Sequence, residues 1–370
     1  MKVALVHDYL NQKGGAERVF LALTELFPTS PVFTSIYFSE KTYAGFQKRK
    51  IRTTFAQKIP GIDKSYRLLF FLYPPAFSTL GDFSGADVVI SSSSTFAKWI
   101  TPRPDICHIC YCHSPTRFLY DYDRYMAQFQ LGFGSKTIVR ALTRFLQYWD
   151  QQAANRVHYF IANSRFTAQK IKEHYRKDAI VIYPPVDTKI FRPGGQKEDY
   201  YLVVSRFLNY KRIDLAIEAF RASHRRLVIV GEGPDEKRLK RLATGLNVDF
   251  AGPVSTEKLV SLYQSARALI LPGEEDFGMV PVEAGACGTP TIAYRRGGAM
   301  ETVIEGKTGI FFDQGTPASL ADAVSRFELL KFSPDALIAH ARQFDITIFR
   351  QKILDAVHDF CRTFGSQTVK

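Results

Sequence analysis

One pattern constrains this chain more than any other. Short apolar runs suited to strands alternate with segments of helical spacing, the alternation stops once, and then it starts again. In the first half, residues 3–6, 88–90, 106–112 and 157–162 are the strand-like runs. Residues 17–27 (ERVFLALTELF) place apolar side chains at helical spacing and are stopped by Pro28. Asn163 and Ser164 offer a cap for a helix from Phe166 onward. The run Tyr183-Pro184-Pro185-Val186-Asp187 and the later Arg192-Pro193-Gly194-Gly195 disfavour helix and sheet alike. Residues 201–205, 227–231, 248–251, 268–271, 291–293 and 309–312 then alternate with amphipathic stretches such as 214–220 and 256–263. Alternation of this kind selects parallel sheets covered by helices on both faces. The expectation is an α/β chain of two doubly wound domains, 1–185 and 186–345, and a length of 370 residues suits two cores better than one. Phe349, Ile353, Val357 and Phe360 sit near helical spacing and predict a last helix within 346–370. Open sheets bind ligands outside the carboxyl ends of their strands, so two such domains with facing loops predict a central cleft.

Several function classes fall away on composition and pattern. The start, Met1-Lys2-Val3-Ala4-Leu5-Val6-His7-Asp8, lacks the zones of a signal peptide, so a cytoplasmic address is expected. The apolar run 68–77 is half of what crosses a bilayer and carries Pro74 and Pro75. Five cysteines, an odd number, suit a reducing compartment. Cys107, Cys110, Cys112 and His113 have a spacing that invites a zinc reading, but only Cys287 and Cys361 remain as distant partners. A buried strand with cysteine as a small hydrophobe is the plainer reading. Asp121 and Asp123 stand two apart, as in acidic metal motifs, without a strand to place them, so no metal is assigned.

A net charge of +13 predicts an anionic partner. Lys41, Lys48, Arg49, Lys50, Arg52, Lys58, Lys64 and Arg67 face a single acid, Asp63, and lie among Phe46, Phe55, Tyr66 and the run that follows. Region 41–77 therefore reads either as a patch for an anionic membrane surface or as a solvated basic face followed by a core helix.

Two loops carry the chemistry. The first, Gly273-Glu274-Glu275-Asp276-Phe277-Gly278-Met279, follows a strand and leads into a short helix holding Glu283. Backbone N–H groups near Gly278 and Met279 can face a phosphate or sugar oxygen, and two carboxylates can accept from hydroxyls at different points of one ligand. The second, Ser205-Arg206-Phe207-Leu208-Asn209-Tyr210-Lys211-Arg212, follows the first strand of the second domain. Arg206 and Lys211 suit a diphosphate. Gly14 and Gly15, between a strand and a helix, permit close backbone approach.

These residues resemble glycosyltransferase family 4. The pattern is Glu275-Asp276-Phe277-Gly278 through Glu283, Ser205-Arg206-Phe207 with Lys211, Gly231-Glu232-Gly233-Pro234, and Gly14-Gly15-Ala16-Glu17. The stretch Tyr111-Cys112-His113-Ser114-Pro115-Thr116-Arg117-Phe118-Leu119-Tyr120-Asp121 is similar to bacterial O-antigen and exopolysaccharide mannosyltransferases. The resemblance implies a GT-B fold, retention of anomeric configuration, no metal or other cofactor, GDP-mannose as donor, and a lipid-linked oligosaccharide acceptor at the cytoplasmic face of the inner membrane. It also implies roles: Glu275 at donor-sugar hydroxyls, Glu283 at the ribose, Arg206 and Lys211 at the diphosphate. Phe277, Gly278 and Met279 would form the donor loop, Gly14 and Gly15 would approach donor phosphates or acceptor, and His113 would lie near the transferred sugar. Same-face attack and double displacement both remain open as routes to retention, the former expected because both glutamates are engaged in binding. Two rivals stand beside the transferase: a nucleotide-sugar epimerase or hydrolase of the same fold, and a basic nucleic-acid-binding protein, for which no motif is present.

Overall fold

The computed structural model describes residues 1–66, 69–81, 83–121, 133–223 and 225–368. The chain divides into two compact units, Met1–Tyr183 with Phe349–Lys370, and Pro184–Ile348.

Unit 1 is built on a parallel sheet of seven strands: β1 (Val3–His7), β2 (Val32–Thr34), β3 (Ile51–Thr53), β4 (Val88–Ser93), β5 (Cys107–Cys112), β6 (Tyr159–Ala162) and β7 (Ala179–Val181). Their spatial order is β3-β2-β1-β4-β5-β6-β7, so the winding reverses between β1 and β4. Every residue of β1, β4 and β5 is buried, the signature of central strands covered on both faces. Cys107, Cys110 and Cys112 lie in β5 as buried thiols, and no cluster of three metal-binding side chains exists among the described residues.

Sequence periodicity does not reveal β2 and β3. Each is three residues long, too short to show alternation, and β3 is a half-exposed edge strand. Region 41–77 consequently differs from a continuous surface patch. Phe46, Tyr73 and Phe77 are buried in the core, and Phe55 and Phe71 are exposed. Lys41 pairs with Asp63 at 3.0 Å, and the Arg52 guanidinium lies over the Phe33 ring. Arg67 and Leu68 fall outside the described residues, as does Asp123 of the acidic pair noted above.

Helices α1 (Gly15–Leu26), α2 (Phe133–Arg156) and α3 (Arg165–Tyr175) belong to this unit. At the heart of their packing lies a buried ion pair: Lys98 Nζ stands 2.7 Å from Asp150 Oδ1, with both side chains at most 1% exposed. Trp99 Nε1 and the Thr116 hydroxyl donate to Asp150 Oδ1, and the Tyr175 hydroxyl donates to Oδ2. Four side chains from three segments thus converge on one carboxylate, which is what makes a buried charge tolerable.

Unit 2 carries a six-stranded parallel sheet: β8 (Tyr200–Val204), β9 (Arg226–Val230), β10 (Val248–Gly252), β11 (Ala268–Leu271), β12 (Thr291–Tyr294) and β13 (Gly309–Phe312). The order is β10-β9-β8-β11-β12-β13, reversing between β8 and β11. Helix α4 (Ile213–Phe220) packs its buried face of Ile213, Leu215, Ile217 and Phe220 on this sheet, with Leu320, Val324 and Phe327 from a later helix. Helix α5 (Met279–Ala286) follows β11. The segments where the chain enters and leaves the unit are paired: Val186 N donates to Phe344 O, Ile346 N donates to Val186 O, and the Thr188 hydroxyl donates to Asp345 at 2.6 Å.

The last helix, α6 (Ile346–Thr368), counts with unit 1 from Phe349 onward. Phe360 stacks on Tyr159 at 4.2 Å, Phe349 meets Tyr111 edge-on, and Arg350 donates to Glu25 at 2.6 Å. No helix among the described residues is long and apolar enough to cross a membrane.

Removing one member of a buried pair strands the other. Asp150→Ala should lower the stability of unit 1 by about 3–5 kcal/mol, read from its urea transition followed by tryptophan fluorescence. A loss below about 1 kcal/mol would show that the charge is not buried as described.

Candidate active site

In open α/β sheets the place where strand order reverses leaves a crevice at the carboxyl ends. In unit 2 the strands beside the reversal are β8 and β11, and the loops that follow them are the two singled out by sequence. Lys211, after β8, and Glu275, after β11, meet there: Nζ donates to both carboxylate oxygens, with the two side chains 14% and 17% exposed. Lys211 thus neutralises Glu275 while staying within reach of solvent. Arg206 is exposed at the end of β8.

Glycine lets these loops close on one another. Gly273 lies against the Tyr210 and Lys211 backbones, where a Cβ would stand 2.7 Å from Lys211 O. Gly231 and Gly233, after β9, adopt φ of 129° and 159°, and a Cβ on Gly233 would stand 2.6 Å from Phe207 O. Phe207 N donates to Glu232 O at 2.8 Å, fixing the Ser205–Phe207 turn against the Gly231–Pro234 turn. Gly278 has φ 87° and caps α5. Glu275 therefore stays in the loop and Glu283 enters the helix, as the sequence pattern requires.

A contact that sequence reasoning missed completes the cluster. After β12, Gly297 and Gly298 lie on the Glu275–Phe277 backbone: Glu275 bridges Gly297, and Gly298 N donates to Glu275 O at 2.8 Å. A Cβ on Gly298 would stand 2.3 Å from Phe277 Cα. The signal was present, since a Gly-Gly pair between a strand and a helix is what drew attention to Gly14 and Gly15.

Other site residues occupy different settings. Glu283 is 3% exposed and accepts from the Tyr263 hydroxyl at 2.9 Å. The carboxylate also helps burial push the Cys287 thiol up to about 12, burial being the larger cause. Phe277 turns inward, 3% exposed, with its ring against Phe344, so the residue packs the loop from beneath. Met279 opens α5 and is half-buried.

Unit 1 has its own switch point, between β1 and β4. Asp8, directly after β1, accepts from four successive backbone N–H groups, Ser94, Thr95, Phe96 and Ala97, at 2.6–3.0 Å, and so locks the loop after β4. Gly14 precedes α1, where a Cβ would stand 2.4 Å from Glu17 Oε2, and Gly15 is exposed. His113 follows β5, is 8% exposed, and has Nε2 at 2.8 Å from the Ser92 hydroxyl. Asn163 donates to its carbonyl. His7, Asp8 and Ser92 carried no marked spacing, and the pairing of β1 with β4 brings them together.

Comparison with known proteins follows this geometry. Residues 13–190 match the profile described as Glycosyltransferase Family 4, and residues 187–344 match that described as Glycosyl transferases group 1. A D-inositol 3-phosphate glycosyltransferase of Acidothermus cellulolyticus is 34% identical over 225 residues, covering 50% of this chain and 49% of that protein. The chain spans about half the length of the curated relatives it matches. Among solved structures, Anabaena HepE in complex with UDP and glucose superposes with a TM-score of 0.70 at 18% identity, covering 97% of this chain and 100% of that one. A lipopolysaccharide outer core galactosyltransferase gives 0.68 at 18% identity, covering 97% and 99%. With its two halves matched in succession by the two profiles, and with two doubly wound parallel sheets of the GT-B kind, this chain belongs to glycosyltransferase family 4.

Proposed function

We propose that the protein transfers a hexose, with retention, from a nucleotide diphosphate sugar to a glycan acceptor. The observation that carries this reading is the Lys211–Glu275 pair at the switch point of the second sheet, framed by glycines. Breaking a sugar–phosphate bond leaves negative charge on the diphosphate and positive character on the sugar. Lys211 and Arg206 answer the first, and the Glu275 carboxylate accepts from sugar hydroxyls. Glu283 serves the ribose. Neither glutamate is left over as a nucleophile, which favours same-face attack with the departing phosphate assisting the acceptor's deprotonation. No metal is needed where two cations face the leaving group.

GDP-mannose is the proposed donor, on the likeness of the Tyr111–Asp121 stretch to mannosyltransferases of bacterial surface polysaccharides. A UDP-hexose is the second reading, favoured because Anabaena HepE was solved with UDP and glucose and another neighbour is named as a galactosyltransferase. A lipid-linked acceptor at the cytoplasmic membrane face fits the charge of +13 and the basic segment 41–77.

Calorimetric titration with GDP-mannose, UDP-glucose and UDP-galactose, without metal, tests the donor. One of them should bind saturably, and binding of none sinks the transferase reading. Lys211→Met should weaken that donor by roughly 10- to 100-fold, the worth of a charge-assisted hydrogen bond. Glu275→Gln should lower kcat more than donor affinity, so equal losses in both variants would remove the division of roles. Gly298→Ala should reduce donor binding by displacing the loop it touches; unchanged affinity would detach that loop from the site.

A further inference from the structure

The polar side chains at the switch point of unit 1 form a hydrogen-bonded chain that ends on His113. His7 closes β1 and lies in register with Ser92 of β4. His7, Glu17 and Ser92 are at most 1% exposed, and His113 8%. His7 Nδ1 stands 3.1 Å from both the carbonyl and the hydroxyl oxygen of Ser92. A carbonyl oxygen only accepts, so Nδ1 of His7 carries its proton. The Ser92 hydroxyl then faces a donor on that side and cannot donate there. The acceptor within its reach is His113 Nε2, 2.8 Å away. A hydroxyl that donates there makes Nε2 of His113 the acceptor and leaves the proton of the neutral ring on Nδ1, whereas a ring protonated at Nε2 would donate to the hydroxyl's second lone pair.

The ring at the head of this chain is held firmly. His7 stacks on Phe20 at 4.6 Å with 14° between planes, and its Nε2 lies 3.9 Å from Glu17 Oε1. Glu17 Oε1 also accepts from Gln12 Nε2 at 2.7 Å. A rotated His7 ring would lose the contact with Ser92 O.

We propose that Ser92 and His7 are positioning residues that hold His113 in the Nδ1–H tautomer. Resting on the transferase reading above, this makes His113 a hydrogen-bond donor to an oxygen of the bound sugar. It is not the base that removes the acceptor's proton, because its one basic nitrogen is engaged by a serine hydroxyl. That role for His113 agrees with deprotonation by the departing phosphate.

The test is two-part and uses the full chain. Ring nitrogen NMR on protein labelled with 15N-histidine, with the His113 signals assigned through His113→Gln, reads the tautomer without any substrate. Wild type should show a protonated Nδ1 and an unprotonated Nε2 at His113, and Ser92→Ala should spread the ring over both tautomers. A wild-type ring protonated at Nε2, or an unchanged tautomer in Ser92→Ala, overturns the proposal. With whichever donor is turned over, Ser92→Ala should lower kcat by roughly tenfold and leave KM within about twofold. Wild-type kcat would overturn the positioning role. If no nucleotide sugar binds, the transferase reading falls by itself, and the tautomer is still decided by the spectrum.

Discussion

At the carboxyl ends of the second sheet, four loops approach one another more closely than side chains would allow. A Cβ at Gly231, Gly273, Gly297 or Gly298 would stand less than 3 Å from the backbone of a neighbouring loop. This steric condition sets the arrangement of everything else at the site. With the turns seated on one another, Lys211 and Glu275 come from opposite sides of the strand reversal to a single point, and Gly278 starts α5 so that Glu283 faces Tyr263. The role of the glycines is steric. They determine where charged groups from separate strands can meet.

The two units meet the same requirement by different means. In unit 2 the loops close through glycine; in unit 1 they close through a carboxylate, Asp8 collecting four backbone N–H groups from the loop after β4. Such a cage holds a loop rigid without a bulky side chain near the strand ends. Away from the strand ends, the Lys98–Asp150 pair plays the corresponding part among the helices. Unit 1 thus adds buried polar networks to an apolar core that runs from Ala4 to Ala153, and unit 2 has the apolar cluster from Tyr201 to Phe327.

Much of this was legible in the sequence, for identifiable reasons. Strands such as Val88–Ser93 and Ala268–Leu271 are covered on both faces, so they appear as uninterrupted apolar runs. The Pro and Gly residues around 184–195 mark the point where unit 2 begins. Glu275, Gly278 and Glu283 were legible because a single loop and its helix carry them. The three-residue strands β2 and β3 were not, since so short a segment has no period to read. Gly297 and Gly298 had a local signal that went unused. The His7–Ser92–His113 chain had none, because residues 7, 92 and 113 become neighbours only through parallel pairing of β1, β4 and β5. Region 41–77 left a surface patch and a core helix both open, because aromatic residues serve either, and Phe46, Tyr73 and Phe77 form core while Phe55 and Phe71 are exposed.

In the proposed reaction a nucleotide sugar is held by the loops at the switch point of the second sheet. Hydrogen–deuterium exchange of the full chain with saturating nucleotide sugar locates that contact directly. Protection should concentrate at residues 205–212, 231–234 and 273–298, where Lys211, Gly233, Glu275 and Gly298 lie. Protection confined to other segments, with these loops exchanging as in the free protein, would contradict it.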